Sequence, residues 1–180
     1  LWLWTFWTYS FLGYLLERGY AIATHADRQA RKCFLLLPMC PVYGLGALAV
    51  LALPESLSGS FWSLALWGGL AATAVEYAVH VLYDRLLGVR FWDYSQVRWN
   101  LRGRVCLPFS LAWGALALPL IYFVHPAVAR LTALIPPGVT WTAAATVAAD
   151  MAVSGVLMKV TGNRDCLCLL YTSDAADDPL

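Results

Sequence analysis

Residues 61–82 read FWSLALWGGLAATAVEYAVHVL. One acid and one histidine interrupt an otherwise apolar run of about 20 residues, the length a helix rising 1.5 Å per residue needs to cross ~30 Å of hydrocarbon. Backbone polar groups in lipid must be satisfied within the segment, so a helix is expected rather than a strand. The run is also too long and continuous for the alternating segments of a barrel. Four further runs flank it: Leu1 to about Thr24, Phe34 to Leu53, Cys106 to Val124 and Val139 to Val160. The expected fold is all-α, a polytopic transmembrane bundle of about five spanning helices with one interfacial segment.

Composition agrees. The chain has 180 residues, 61% hydrophobic and 13% charged, with a net charge of +1. A soluble domain is nearer 45–50% apolar and about 25% charged. Secreted disulfide scaffolds, disordered tails and nucleic-acid-binding domains are excluded on these grounds. Ten of the twelve basic residues fall in the loop between the first two runs (Arg28, Arg31, Lys32), in the loop between the third and fourth (Arg85, Arg90, Arg98, Arg102, Arg104) or after the fifth (Lys159, Arg164). The positive-inside rule places these regions in the cytoplasm and the N-terminus outside, for a multi-pass protein in the lipid bilayer.

Polar residues inside the runs form stripes at helical spacing. Ser10, Gly13, Tyr14, Glu17 and Tyr20 make one, and Gly69, Thr73, Glu76, His80 and Tyr83 a second. The third is Thr142, Thr146, Asp150 and Ser154. A charge at bilayer depth costs at least about 2.5–3.5 kcal/mol, so Glu17, Glu76 and Asp150 are expected to face the interior. There they could bind a cation, a proton or a polar substrate, with Glu76 and His80 as a proton-handling pair. The plainer alternative is interhelical glue, neutral or paired with Arg18 or Arg104.

The second run opens Pro38-Met39-Cys40-Pro41-Val42-Tyr43-Gly44-Leu45-Gly46. Two prolines remove donors and two glycines loosen the helix, so its start is expected to be irregular, packed on protein, and either a binding element around Tyr43 or a close-packing device. Pro38 with Tyr43-Gly44 is echoed by Pro108 with Trp113-Gly114, each pair following a helix with an internal glutamate. The first two helices therefore read as a parallel duplicate of the next two. Between Asp84 and Arg104, Phe91, Trp92, Tyr94 and Trp99 interleave with arginines, the pattern of a segment on the cytoplasmic interface or a docking surface for a partner.

The five cysteines and three histidines are scattered, so no metal site or cofactor is expected and the thiols are expected reduced and buried. Lys32 and Lys159 do not follow glycine, so no Walker A sequence is present; H-E-x-x-H and G-x-S-x-G are also absent. An enzyme is not expected, and no catalytic residues are assigned. The stretch 166–180, ending Leu169-Leu170-Tyr171-Thr172-Ser173-Asp174 and a short acidic run, resembles translated sequencing-adapter sequence. It is set apart from a membrane domain of residues 1–165, a genuine acidic tail being the alternative.

Several strings resemble a bacterial membrane family labelled "putative ABC-transporter permease type IV", or CmpB-like. They are Ser10 to Glu17, Cys40-Pro41-Val42-Tyr43-Gly44, Glu76-Tyr77 and Trp92-Asp93-Tyr94-Ser95. Asn100-Leu101-Arg102-Gly103-Arg104-Val105-Cys106-Leu107, Trp113-Gly114 and His125-Pro126 continue the match, and Asp150 stands in a compatible place. Where that family has Gly-Phe-Leu-x-Gly-Pro, this chain has Cys33-Phe34-Leu35-Leu36-Leu37-Pro38. The resemblance implies a permease-like subunit of the bacterial inner membrane, working with a separate cytoplasmic ATPase and forming a homo-oligomer to complete a pathway. It adds Trp92, Asp93, Asn100, Arg102 and Arg104 to the candidate binding residues. The alternative is a non-transport regulator or scaffold acting through the basic, aromatic loop.

Overall fold

The structure is a computed structural model that describes residues 2–25, 33–163 and 166–167. It is an α-helical bundle with one two-residue-per-strand hairpin. In chain order the helices are α1 (Trp2–Ala23), α2 (Pro41–Leu51), the single turn α3 (Glu55–Ser58), α4 (Phe61–Leu82), α5 (Leu107–Pro119), α6 (His125–Thr132) and α7 (Pro137–Thr161). A wide π turn, Tyr83–Leu87, prolongs α4, and another, Leu120–Val124, joins α5 to α6. The second precedes Pro126, which cannot donate to the carbonyl four residues back, and the wider winding accommodates the gap.

Three continuous helical stretches are long and apolar enough to cross a membrane: Phe61–Leu87, Leu107–Thr132 and Pro137–Thr161. Their outward faces carry large apolar side chains, among them Trp62, Leu66, Leu111, Trp141, Val156 and Val160. α1 matches the first expected run closely. The second expected run, Phe34 to Leu53, is helical only over Pro41–Leu51, because Pro38 and Pro41 break the pattern and Pro41 serves as the first helical residue. At about 16 Å it does not reach across ~30 Å of hydrocarbon.

Residues 34–37 before it are bent backbone, and α7 supplies their hydrogen bonds. The Asp150 carboxylate accepts from three successive backbone N–H groups, those of Leu35 (3.2 Å), Leu36 (3.1 Å) and Leu37 (2.7 Å). Ser154 accepts a second contact from the Leu35 N–H (2.8 Å) and donates to Asp150 (3.2 Å). The stripe residues of α7 thus hold an irregular segment that could not otherwise lie at membrane depth. α7 is tied further by Trp4 Nε1–H to Thr140 Oγ1 (2.8 Å) and by Lys159 Nζ to the Leu86 carbonyl (2.6 Å).

The loop after α4 folds into the bundle. Phe91, Trp92 and Tyr94 are buried in the main apolar cluster beside Phe34, Val79 and Cys106, while Trp99, 75% exposed, points outward with Arg98 and Arg102. Most of its aromatic side chains therefore serve the core rather than the headgroup level. Cys33, Cys40, Cys106 and Cys166 are buried, with the Cys33 and Cys40 sulfurs 3.9 Å apart. Cys166 and Leu167, assigned above to the tail, pack in the same cluster; Cys168 and residues 169–180 lie outside the described residues, as do Arg28, Arg31, Lys32 and Arg164.

Replacing Asp150 by Ala removes the acceptor of the part-buried Leu36 and Leu37 N–H groups, while the Leu35 N–H keeps Ser154. Each lost bond to a charged group is worth about 1.5–3 kcal/mol, so Asp150→Ala is expected to lower stability by several kcal/mol and Asp150→Asn by less. Thermal unfolding in detergent, with protease cleavage in the 133–137 turn, measures both.

Candidate functional site

Glu76 is 2% exposed on α4. Its carboxylate accepts from Trp113 Nε1–H on α5 (2.9 Å) and from the Tyr94 hydroxyl (3.0 Å), so it joins α4, α5 and the loop. Glu17 on α1 accepts from the Tyr43 hydroxyl on α2 at 2.5 Å. The Tyr43 and Trp113 rings meet edge to face, centroids 5.3 Å apart, so the two carboxylates are linked through two aromatic donors in contact.

This arrangement repeats. Glu17 with Tyr43 corresponds to Glu76 with Trp113, and the correspondence extends along both hairpins. A Cβ built on Gly44 would stand 2.6 Å from the Phe6 carbonyl and against Ser10; one on Gly114 would stand 2.5 Å from the Ala65 carbonyl and close to Gly69. Phe6, Ser10 and Glu17 have the same spacing as Ala65, Gly69 and Glu76. The Cys40 N–H donates to the Ser10 carbonyl, and Ser110, at the matching position of the second hairpin, lies against Gly69. Two copies of one helical hairpin thus stand side by side, each using a glycine for close approach and an aromatic N–H or O–H to satisfy a glutamate, half-buried at Glu17 and buried at Glu76.

Between the copies lies a cavity of about 280 Å³. Its walls are mostly apolar and include five repeat-related pairs: Gly13 and Ala72, Tyr43 and Trp113, Gly46 and Leu116, Ala47 and Ala117, Val50 and Leu120. Glu76 contributes the carboxylate, and Tyr9 stands on the α1 wall.

The other sequence candidates are placed elsewhere. His80 is buried, but its Nε2 faces the Trp92 carbonyl (3.1 Å) and its ring stacks edge-on to Trp92, so its bonding is to the loop rather than to Glu76. Asp150 is engaged with residues 35–37, and neither it nor His80 lines the cavity. Trp92, Asp93, Asn100 and Arg104 lock the loop. Trp92 Nε1–H donates to the Arg104 carbonyl (2.8 Å), and the Asn100 amide bridges the Val97 carbonyl (2.8 Å) and the Gly103 N–H (2.9 Å). Asp93 accepts from the Ser95 N–H (2.8 Å), and that bond with the Ser95 hydroxyl holds its carboxyl below the ordinary range. Arg104 lies over the Tyr77 ring, bonds its hydroxyl (3.3 Å) and pairs with Asp84 (3.2 Å). Arg102 is exposed at the hairpin tip with φ 55°. Among the described residues no cluster of His, Cys, Asp and Glu is arranged to hold a metal ion. Tyr9, Gly46 and Tyr94 are the site residues that sequence reading does not single out for these roles.

The fold and site define a helical protein of the membrane-spanning kind, built on a repeated hairpin with paired internal carboxylates. The chain belongs to the family described as "Putative ABC-transporter type IV", whose model matches residues 4–158. No curated protein and no solved structure matches it.

The two glycine environments differ sharply, and substitution should show it. Gly114→Ala drives a Cβ into the Ala65 carbonyl and is expected to cost about 1–3 kcal/mol. A Cβ on Gly46 meets only Ala72 at 3.9 Å, so Gly46→Ala is expected to be neutral or to stabilise by about 0.4–1 kcal/mol. Unfolding midpoints of the two purified variants decide it.

Proposed function

We propose that this chain is the permease-like membrane subunit of an ABC-type transport system of the bacterial cytoplasmic membrane. On this reading the cavity between the two hairpins is its substrate site. The observation that carries it is Glu76: a carboxylate held inside an apolar bundle on the wall of a cavity that is also lined by Tyr43, the donor to its counterpart Glu17. Intramembrane acids facing such cavities mark substrate or ion routes, and sites at the interface of repeated units are a recurrent transporter design. The family description supports the transport class.

The chain carries no Walker A sequence, so ATP hydrolysis would come from a separate cytoplasmic subunit. The loop locked by Trp92, Asn100 and Arg104 is the surface suited to meet it, and a homo-oligomer would complete the pathway. In this reading the N-terminus lies outside and residue 163 inside. The second reading, a regulator or scaffold, draws on the outward cluster of Trp99, Leu101 and Arg102 at the hairpin, which offers aromatic, apolar and cationic contact at one place.

The test uses the chain purified in mild detergent from membranes of its host. ATP hydrolysis is expected to co-purify, and Glu76→Gln is expected to change its rate about fivefold or more, the lower end of coupling between linked sites. A preparation without ATPase activity, or a rate indifferent to Glu76→Gln, overturns the transport reading. For the orientation, a green fluorescent protein fused after Asn163 is expected to fluoresce, and alkaline phosphatase at the same place to stay inactive.

A further inference from the structure

The Tyr9 hydroxyl is an anomaly in this interior. Tyr9 is buried, lines the cavity between the hairpins, and its oxygen has no hydrogen-bond partner among the described residues. A buried hydroxyl with no partner is costly, and such groups are rare unless something else satisfies them. Its ring lies along that of His125, whose buried Nδ1 is also without a partner among the described residues. Tyr9 and Val50 mark one end of the cavity and Glu76 with Tyr43 the other, separated by roughly 12 Å along α2 between Val42 and Val50.

Nearly all the wall between these ends is hydrocarbon. Leu12 and Leu16 of α1 and Leu116 of α5 line the cavity and are also exposed on the outer surface, so the space opens sideways between α1 and α5. That opening faces bilayer hydrocarbon rather than water if the long helices span. A polar solute would have to shed its hydration to enter such a space, whereas an alkyl chain loses nothing. An ionised Glu76 at its end of the cavity repels an anion in a medium where charges are weakly screened.

From this combination we infer that the cavity binds an uncharged or cationic single-tailed amphiphile drawn from the bilayer. Its alkyl tail lies between Gly46, Ala47, Leu116 and Ala117, and an oxygen on it accepts from the Tyr9 hydroxyl. The inference names the ligand class of the proposed substrate site and rests on that reading for the ligand being cargo. Binding itself needs neither ATP nor a partner, so its failure is distinguishable from failure of the ATPase association.

The test is photolabelling of the full chain in liposomes with a diazirine-bearing octanol. Label is expected in the peptides containing Leu12–Leu16, Gly46–Val50 and Leu116–Leu120. Gly46→Leu places at that position the side chain its repeat counterpart already carries, filling the cavity where a Cβ has room; it is expected to cut labelling there about tenfold while leaving label at exposed Trp62 and Val160 unchanged. Tyr9→Phe keeps the cavity and removes only the hydroxyl, and is expected to weaken labelling of the same peptides about fivefold or more, on the scale of one hydrogen bond. The octanoate version of the probe is expected to label them about tenfold less than the octanol. Unfolding midpoints near that of the parent chain establish that both variants fold. Label spread evenly over lipid-facing residues, labelling unaffected by Gly46→Leu or Tyr9→Phe in folded protein, or equal labelling by octanoate overturns the inference.

Discussion

Glu76 makes the bundle one structure. A carboxylate this deeply buried has no water to fall back on, and leaving it unsatisfied would cost more than any single apolar contact returns. Its two donors come from different places in the chain: the indole of Trp113 on the next long helix and the phenol of Tyr94 in the intervening loop. Satisfying one acid therefore fixes the α4–α5 packing and draws the loop inward at the same time. Phe91 and Trp92, three and two residues before Tyr94, are buried with it, and Trp92 adds its own bond to the Arg104 carbonyl.

Asp150 solves the same problem with backbone. Three consecutive N–H groups converge on its carboxylate, and the bent stretch 34–37 is satisfied by the acid as much as the acid by it. In the resembled family glycines occupy the places held here by Cys33 and Leu37. The observed bend needs no left-handed residue, since the positive φ values of the described residues all lie elsewhere, which is why leucine is accommodated.

The long helices were legible because apolar length is a local property, and residues 61–82 carry it without reference to anything distant. α2 was half legible: the prolines announce an irregular start, but how far the helix retreats depends on Asp150, more than a hundred positions away. The loop was misleading for a physical reason. Trp and Tyr beside arginines suit either a headgroup interface or a core edge, and the choice was made by Glu76 and by the Trp92 to Arg104 carbonyl bond. The polar stripes turn inward at Ser10, Gly13, Glu76, His80, Asp150 and Ser154 but leave Tyr20, Thr142 and Thr146 exposed, and they do not meet in one shared site, because helical spacing tells which side of a helix a residue occupies and nothing about the neighbour it meets. The repeat of proline, aromatic and glycine was visible in the sequence, yet only side-chain contacts reveal that Tyr43 and Trp113 serve equivalent acids.

The two hairpins share backbone contacts but not side-chain volumes, and the differences shape the cavity between them. Where both copies face it, the first hairpin carries the smaller residue in pairs such as Gly13 against Ala72, Gly46 against Leu116 and Val50 against Leu120, whereas Tyr9, Leu12 and Leu16 on its wall are larger than their counterparts Gly68, Ala71 and Val75. Interiors pack to crystal-like density unless something prevents it, and an apolar void forfeits dispersion contacts along its whole lining. Larger residues at Gly13 and Gly46 would fill part of the seam. Part of the space therefore comes from the methyl and isobutyl groups absent at these two positions of the first hairpin. The two copies thus differ in both directions, small at Gly13 and Gly46 yet large at Tyr9, and the site they leave is asymmetric, with the Tyr9 hydroxyl on the first hairpin and the buried carboxylate of Glu76 on the second.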